Sequence, residues 1–255
     1  MRRALDILAP LLFTAALLAA WEIAVRALQV PPYILPGPSL ILAALADNAA
    51  VLAASAWVTL SMALWALAIA GAVALSLALL LALSPLAERA VSPIAVGLQV
   101  TPIVAIAPLV NIWAGLAHPE RAVIGLAAVV AFFPIFSGAI TGLRSADPDL
   151  ERLFDLYGAG RLQRLRRLRL PASVPFLLEG FKVAAGLAVI GAVVAEFVAG
   201  SGGAQGLAWR ILEASNRLQT ARVFAALAVL AALGVALHAL LAAAERRLLG
   251  WWSGR

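Results

Sequence analysis

The 255-residue chain is 64% hydrophobic and 13% charged, with a formal net charge of +6 and a mean hydropathy of +1.00. An ordinary soluble domain has roughly 45–50% apolar and about 25% charged residues, so the composition excludes a soluble globular domain and points to one integral-membrane domain. The basic excess is arginine apart from Lys182 and reads as juxtamembrane charge rather than a nucleic-acid face; the lack of cysteine excludes disulfides, thiolate metal sites and a cysteine nucleophile.

A bilayer core of ~30 Å needs ~20 helical residues, and backbone groups in lipid must be satisfied within the chain. The sequence is therefore predicted to be all-α, with about six transmembrane helices at 7–28, 54–83, 91–115, 121–143, 176–199 and 222–244. The N-terminal run has the basic start of a signal peptide. It is longer than a usual signal core, and charge enters only at Glu22 and Arg26, so it is read as an uncleaved first span. Residues 30–50 follow as a Pro-rich extended entry and a short helix that Ser39 is expected to cap. The second span is long and is expected to begin as an interfacial helix. The third contains Pro102 and Pro108, each of which removes a helix hydrogen bond, and is read as broken. With Asn111 and Trp113 it is a candidate lining for a pathway.

Loops between spans alternate sides. Residues 1–6, 84–90, 144–175 and 245–255 hold thirteen arginines and the opposite set holds five. The positive-inside bias puts the first set, and both termini, in the cytoplasm. On the other side, residues 200–220 combine a glycine-rich turn with a short helix that places Trp209 at headgroup level.

The cytoplasmic island 144–171 carries seven of the nineteen basic and four of the thirteen acidic residues. Leu150, Leu153, Phe154 and Tyr157 recur at i, i+3, i+4 and i+7, one face of a helix. Asp149, Glu151, Arg152 and Asp155 cover its other faces. Asp147 is the expected N-cap, with Pro148 at the first helical position, and Gly158 stops or bends the helix. A second, arginine-rich helix carries Leu162, Leu165 and Leu168, and Pro171 is expected to close it. An amphipathic helix resting on lipid fits the basic half. The acid-rich half fits a protein partner that takes a helix into a groove.

These residues resemble the EAA loop of permease subunits of ATP-binding-cassette (ABC) importers, whose pattern is E-A-A-x3-G-x9-I-x-L-P. Gly158 is followed by nine residues and then Leu168, Arg169, Leu170 and Pro171, so the spacing is intact, whereas Arg152, Leu153 and Phe154 replace E-A-A. TPIVAIAPLVNIWAGLA (101–117), FFPIFSGAITGLRSADPDL (132–150), and 169–200 running on into 221–230 are similar to the branch serving sulfonates, taurine, nitrate and thiamine precursors. AEFVAGSGGAQGLAW, LEASNRLQT and LYGAGR are more similar to thiamine-pyrimidine or riboflavin-type members than to sulfonate ones.

The resemblance implies a type I permease fold in a bacterial inner membrane. It implies a second permease copy around a central path, and a substrate-binding protein delivering a small solute at the outer face. It also implies a separate ATPase pair that receives residues 147–171 as a coupling helix. No cofactor or metal is expected in this chain, with ATP and Mg on the ATPase. The absence of a G-x4-G-K-[ST] phosphate loop agrees with that division, and the chain is expected not to be an enzyme.

Ionisable residues within spans are functional candidates. Glu179 and Lys182, three apart, are set to pair on one helix face. Glu196 is open between a structural hydrogen bond and a role at the outer gate. His238 is read as a satisfied core histidine, and Gly180 with Ala184 as a close-packing pair. The alternative function is an ion-coupled secondary transporter using Glu196 and Lys182. A membrane-embedded enzyme lacks any visible nucleophile–base or acid–base constellation.

Overall fold

The computed structural model describes residues 2–84, 86–87, 89–91, 103–114, 118–199 and 205–250. They form α1 (Arg2–Ala27), α2 (Pro38–Asp47), α3 (Ala49–Ala82), α4 (Ile103–Ala114), α5 (Pro119–Arg144), α6 (Pro148–Leu156), α7 (Arg161–Arg164), a π-helical turn (Leu165–Arg169), α8 (Leu170–Ala199), α9 (Leu207–Asn216) and α10 (Thr220–Leu249). No strand occurs among the described residues. Five of the helical stretches are long and apolar enough to cross a membrane: Leu8–Ala27, Ala49–Ala82, Pro119–Arg144, Arg161–Val198 and Thr220–Leu249. Of the predicted third span only Ile103–Ala114 is described in full as a helix, and Pro102 lies outside the described residues.

The core is the three-way packing of α3, α5 and α8. Its buried faces are mostly alanine: Ala66, Ala70 and Ala74 on α3, Ala127 and Ala131 on α5, and Ala184, Ala188 and Ala192 on α8. In lipid, helices gain little from hiding apolar surface. Small side chains instead let backbones approach and gain dispersion contact. At the α5–α8 crossing a Cβ on Gly138 would sit 2.6 Å from the Phe176 carbonyl oxygen, and one on Gly180 would sit 2.7 Å from that of Pro134. Large apolar side chains such as Phe13, Trp57, Trp65 and Val235 point outward. Among the described side chains of the α1 span none is buried. It is tied to the rest by a Trp21–Phe224 ring contact with centroids 5.8 Å apart and by Glu22, which accepts from the Ser39 N–H (3.0 Å) and hydroxyl (2.8 Å).

Four local expectations are corrected. Gly37, not Ser39, is the N-cap of α2: the helix already starts at Pro38, and the free Ser39 N–H of its first turn is taken by the Glu22 carboxylate. Pro108 does not break its helix, which is continuous over Ile103–Ala114. Pro171 does not close the basic helix, which runs on from Arg161 through Ala199. The Leu170 N–H donates to the Leu165 carbonyl, five residues back, and this wider turn relieves the clash that a proline ring makes with the preceding turn. His238 is exposed on the outer face of α10 rather than held in the core.

Candidate functional site

The island folds as a hairpin. Asp147 accepts from the Asp149 N–H at 2.7 Å and starts α6. Gly158, at φ +65°, ends it in the left-handed region, where a side chain would be strained. Leu150, Leu153 and Tyr157 are exposed, as is Leu156 at the same end. Phe154 is half-buried, and Asp149 and Arg152 pair at 3.0 Å on the solvent side. On the returning helix Leu165 and Leu168 are buried against the bundle, while Leu170 and Pro171 are half-buried as the chain enters α8.

The two arms are joined by charge. Arg169 Nε donates to Glu151 Oε1 at 2.6 Å. Arg164 Nη1 lies 3.6 Å from Glu151 Oε2, and Arg164 Nη2 donates to Asp155 Oδ1 at 2.5 Å and to the Ala159 carbonyl at 3.2 Å. The side chains of Glu151 and Arg164 are only 21% and 23% exposed. Water therefore screens this pair less than it would an open surface pair. Arg161 reaches the Leu83 carbonyl at the end of α3, 3.4 Å away. A basic cavity of about 350 Å³ lies between α3 and the hairpin, lined by Arg161, Arg164 and Arg169. Residue spacing marked α6 and Gly158, but not this network, since Glu151 and Arg169 lie eighteen positions apart on different helices.

At the far end of α8, Glu196 is 4% exposed. Its Oε2 accepts from the N–H groups of Ala208 (3.0 Å) and Trp209 (3.4 Å). The Thr59 hydroxyl accepts from the Leu207 N–H at 2.9 Å and donates to Glu196 Oε1 at 3.4 Å. The carboxyl thus satisfies the orphan donors at the start of α9 and sits at its positive end. There is room only because residue 206 is glycine, where a Cβ would come within 1.8 Å of Glu196 Oε1. Arg210 adds a bond to Ser55 at 3.0 Å and a pair with Glu213 at 2.9 Å. Outside the spans, the Glu213 carboxyl is held below the usual carboxylate range, first by its hydrogen bond from Arg210, which outweighs the opposing effect of burial, and then by the charges of Arg217, Arg210 and Arg222.

Lys182 pairs with Glu179 on its own helix and with Glu245 of α10, 2.8 Å away. Glu196 and Lys182 lie fourteen residues apart on one helix, a rise of ~21 Å. They do not form one site. Asn111 is half-buried and Pro108 exposed on α4, whereas the groups that reach Glu196 come from Thr59, Ala208 and Trp209. The cavity between α4, α5 and α8 is apolar and about 140 Å³. No group of three metal-ligating side chains occurs among the described residues.

Residues 70–250 match the family described as binding-protein-dependent transport system inner membrane component. The chain is 32% identical to the formylaminopyrimidine transport permease ThiX of Halalkalibacterium halodurans over 98% of each chain. It is 35% identical to the riboflavin transport system permease RibX of Chloroflexus aurantiacus over 92% of this chain and 87% of that one. To the taurine transport system permease TauC of Escherichia coli it is 28% identical over 93% and 87%.

Proposed function

Because the chain belongs to the family of binding-protein-dependent transport system inner membrane components, and is thus a multi-pass ABC importer permease for a small solute, we propose that α6 is its docking helix for a separate ATPase. ATP binding on that partner would then switch the permease between inward-open and outward-open. The observation that carries this reading is the exposed apolar ridge of Leu150, Leu153 and Tyr157 on a short helix outside the bundle. It has the form of a helix face that docks in a partner's groove. Gly158 and the G-x9-L-x-L-P spacing set where that helix ends.

Two copies of the chain surround the path, and a substrate-binding protein feeds it from outside. The membrane is the bacterial inner membrane, with both termini and α6 in the cytoplasm, as the arginine asymmetry favours. The solute is a thiamine pyrimidine precursor or a riboflavin-like compound, ahead of sulfonates, taurine and nitrate. The near full-length similarity to permeases named for formylaminopyrimidine and riboflavin supports that order.

Leu153→Asp tests the docking. Leu153 is 43% exposed, so the charge should leave the bundle folded while desolvating badly in a groove, at a cost of about 2 kcal/mol or more. Transport by the reconstituted complex should fall at least about ten-fold, with the permease still membrane-inserted. Normal uptake by this variant sinks the assignment. The solute is tested by calorimetric titration of the partner binding protein with pyrimidines, flavins, sulfonates and nitrate. A flavin or pyrimidine should bind at least about ten-fold more tightly than taurine.

A further inference from the structure

The arginines that hold α6 bracket the π-helical turn, Arg164 just before it and Arg169 as its last residue, and the spacing is informative. Arg164 and Arg169 are five residues apart. In a regular α-helix residues five apart point about 140° away from each other, so they could not both reach one carboxylate. A turn with i→i+5 hydrogen bonds is wider, and residues five apart on it point within roughly 50° of each other, on the same side of the helix. Here the Leu170 N–H closes such a turn onto Leu165, and both guanidinium groups meet the two oxygens of Glu151, Arg169 at Oε1 and Arg164 at Oε2. Arg164 spans further to Asp155, one turn along α6 from Glu151. The same helix then continues without interruption as the membrane span α8.

We infer that Glu151, gripped by Arg164 and Arg169 across the π turn, is the positioning residue that fixes the docking helix to span α8, so that a displacement of α6 is carried into the membrane as motion of α8. The inference rests on the proposed docking role of α6 and adds the joint that transmits it. Without Glu151, what remains between α6 and the helix that becomes α8 is the Arg164–Asp155 pair, whose carboxylate is mostly exposed, and the chain link through Gly158. The positive φ and lack of side chain at Gly158 make that link a pivot rather than a strut. The exposed ridge of α6 faces the partner while Glu151 faces the bundle. Docking and transmission therefore use different side chains and can be separated.

The complete transporter, reconstituted with its ATPase and binding protein, provides the test. Leu156→Cys on the otherwise cysteine-free chain reports docking by cross-linking to the ATPase. In the Glu151→Gln background this cross-link should persist, while solute moved per ATP hydrolysed falls by about two- to five-fold, the scale of a half-buried ion pair. Arg169→Gln removes the same contact from the other arm and should behave alike, and it serves if Glu151→Gln does not accumulate in the membrane. Glu151→Cys with Arg169→Cys should be equally uncoupled when reduced and should recover when the two thiols are bridged by a short bismaleimide. A merely structural loss would not be reversed by that bridge. Unchanged solute-to-ATP ratios in both single variants, or no recovery on bridging, overturn the inference. Absence of the Leu156→Cys cross-link in the parent chain overturns the docking reading instead.

Discussion

The two ends of the α8 helix are held in opposite ways. At the α6 end, half-exposed ions do the holding: Glu151, Asp155, Arg164 and Arg169. At the α9 end a 4% exposed carboxyl, Glu196, has no cation among its hydrogen-bond donors in the described residues and takes backbone N–H groups and the Thr59 hydroxyl. Ion pairs near water are individually weak and tolerate changes of angle. A buried acceptor facing a helix start tolerates little, because any separation strands several polar groups at once. The first joint suits a part that moves under load, and the second suits a part that stays in register.

That contrast can be broken most severely at the steric centre of the second joint. Gly206→Val would drive its side chain into Glu196 Oε1, 1.8 Å from the Cβ position. It combines overpacking with loss of the cap, at a cost of about 3 kcal/mol or more. Glu196→Ala, which leaves the Ala208 and Trp209 N–H groups without their acceptor, should cost about 2 kcal/mol. Thermal unfolding of the detergent-solubilised chain should rank the two in that order, with Glu151→Gln unfolding close to the parent. If Glu151→Gln proves as destabilising as Gly206→Val, the two joints do not differ in kind.

The smallest effect is a pH response at the surface of α9. The Glu213 carboxyl is held below its usual range by Arg210, Arg217 and Arg222. Its folded state therefore binds a proton less readily than the unfolded chain. Its contribution is complete above the ordinary glutamate pKa of 4.5 and is lost as pH falls through the depressed value. Glu213→Gln should leave stability at pH 7 slightly lower and flatten the decline below pH 4.5. Paired thermal unfolding curves at the two ends of that window check it. An identical acid decline in both chains would remove Glu213 from the account.

How much of this was legible from residues follows the range of the interactions. The all-helical membrane architecture was, because hydropathy and the need for internal backbone hydrogen bonds act over one helix at a time. The exposed ridge of α6 and its two ends were also local: Asp147 caps within two residues, and Gly158 turns the chain by its own φ. Ser39 was misread because its partner, Glu22, lies seventeen residues away on another helix. His238 was misread because periodicity does not say which face of a hydrophobic helix meets protein and which meets lipid. Pro171 was misread because the π turn that accommodates it leaves no compositional mark.

Composition and spacing alone therefore determined an all-helical membrane protein with an outlying amphipathic helix and a glycine stop. These are properties of single helices in a solvent that forbids unsatisfied backbone. Only the tertiary structure decided which charges meet. Glu151 joins Arg164 and Arg169 because a π turn rotates them onto one side, and Glu196 finds α9 because Thr59 and Gly206 leave space there. A carboxylate's role is set by whatever donors come within about 3 Å of it, and distance in the chain does not carry that information.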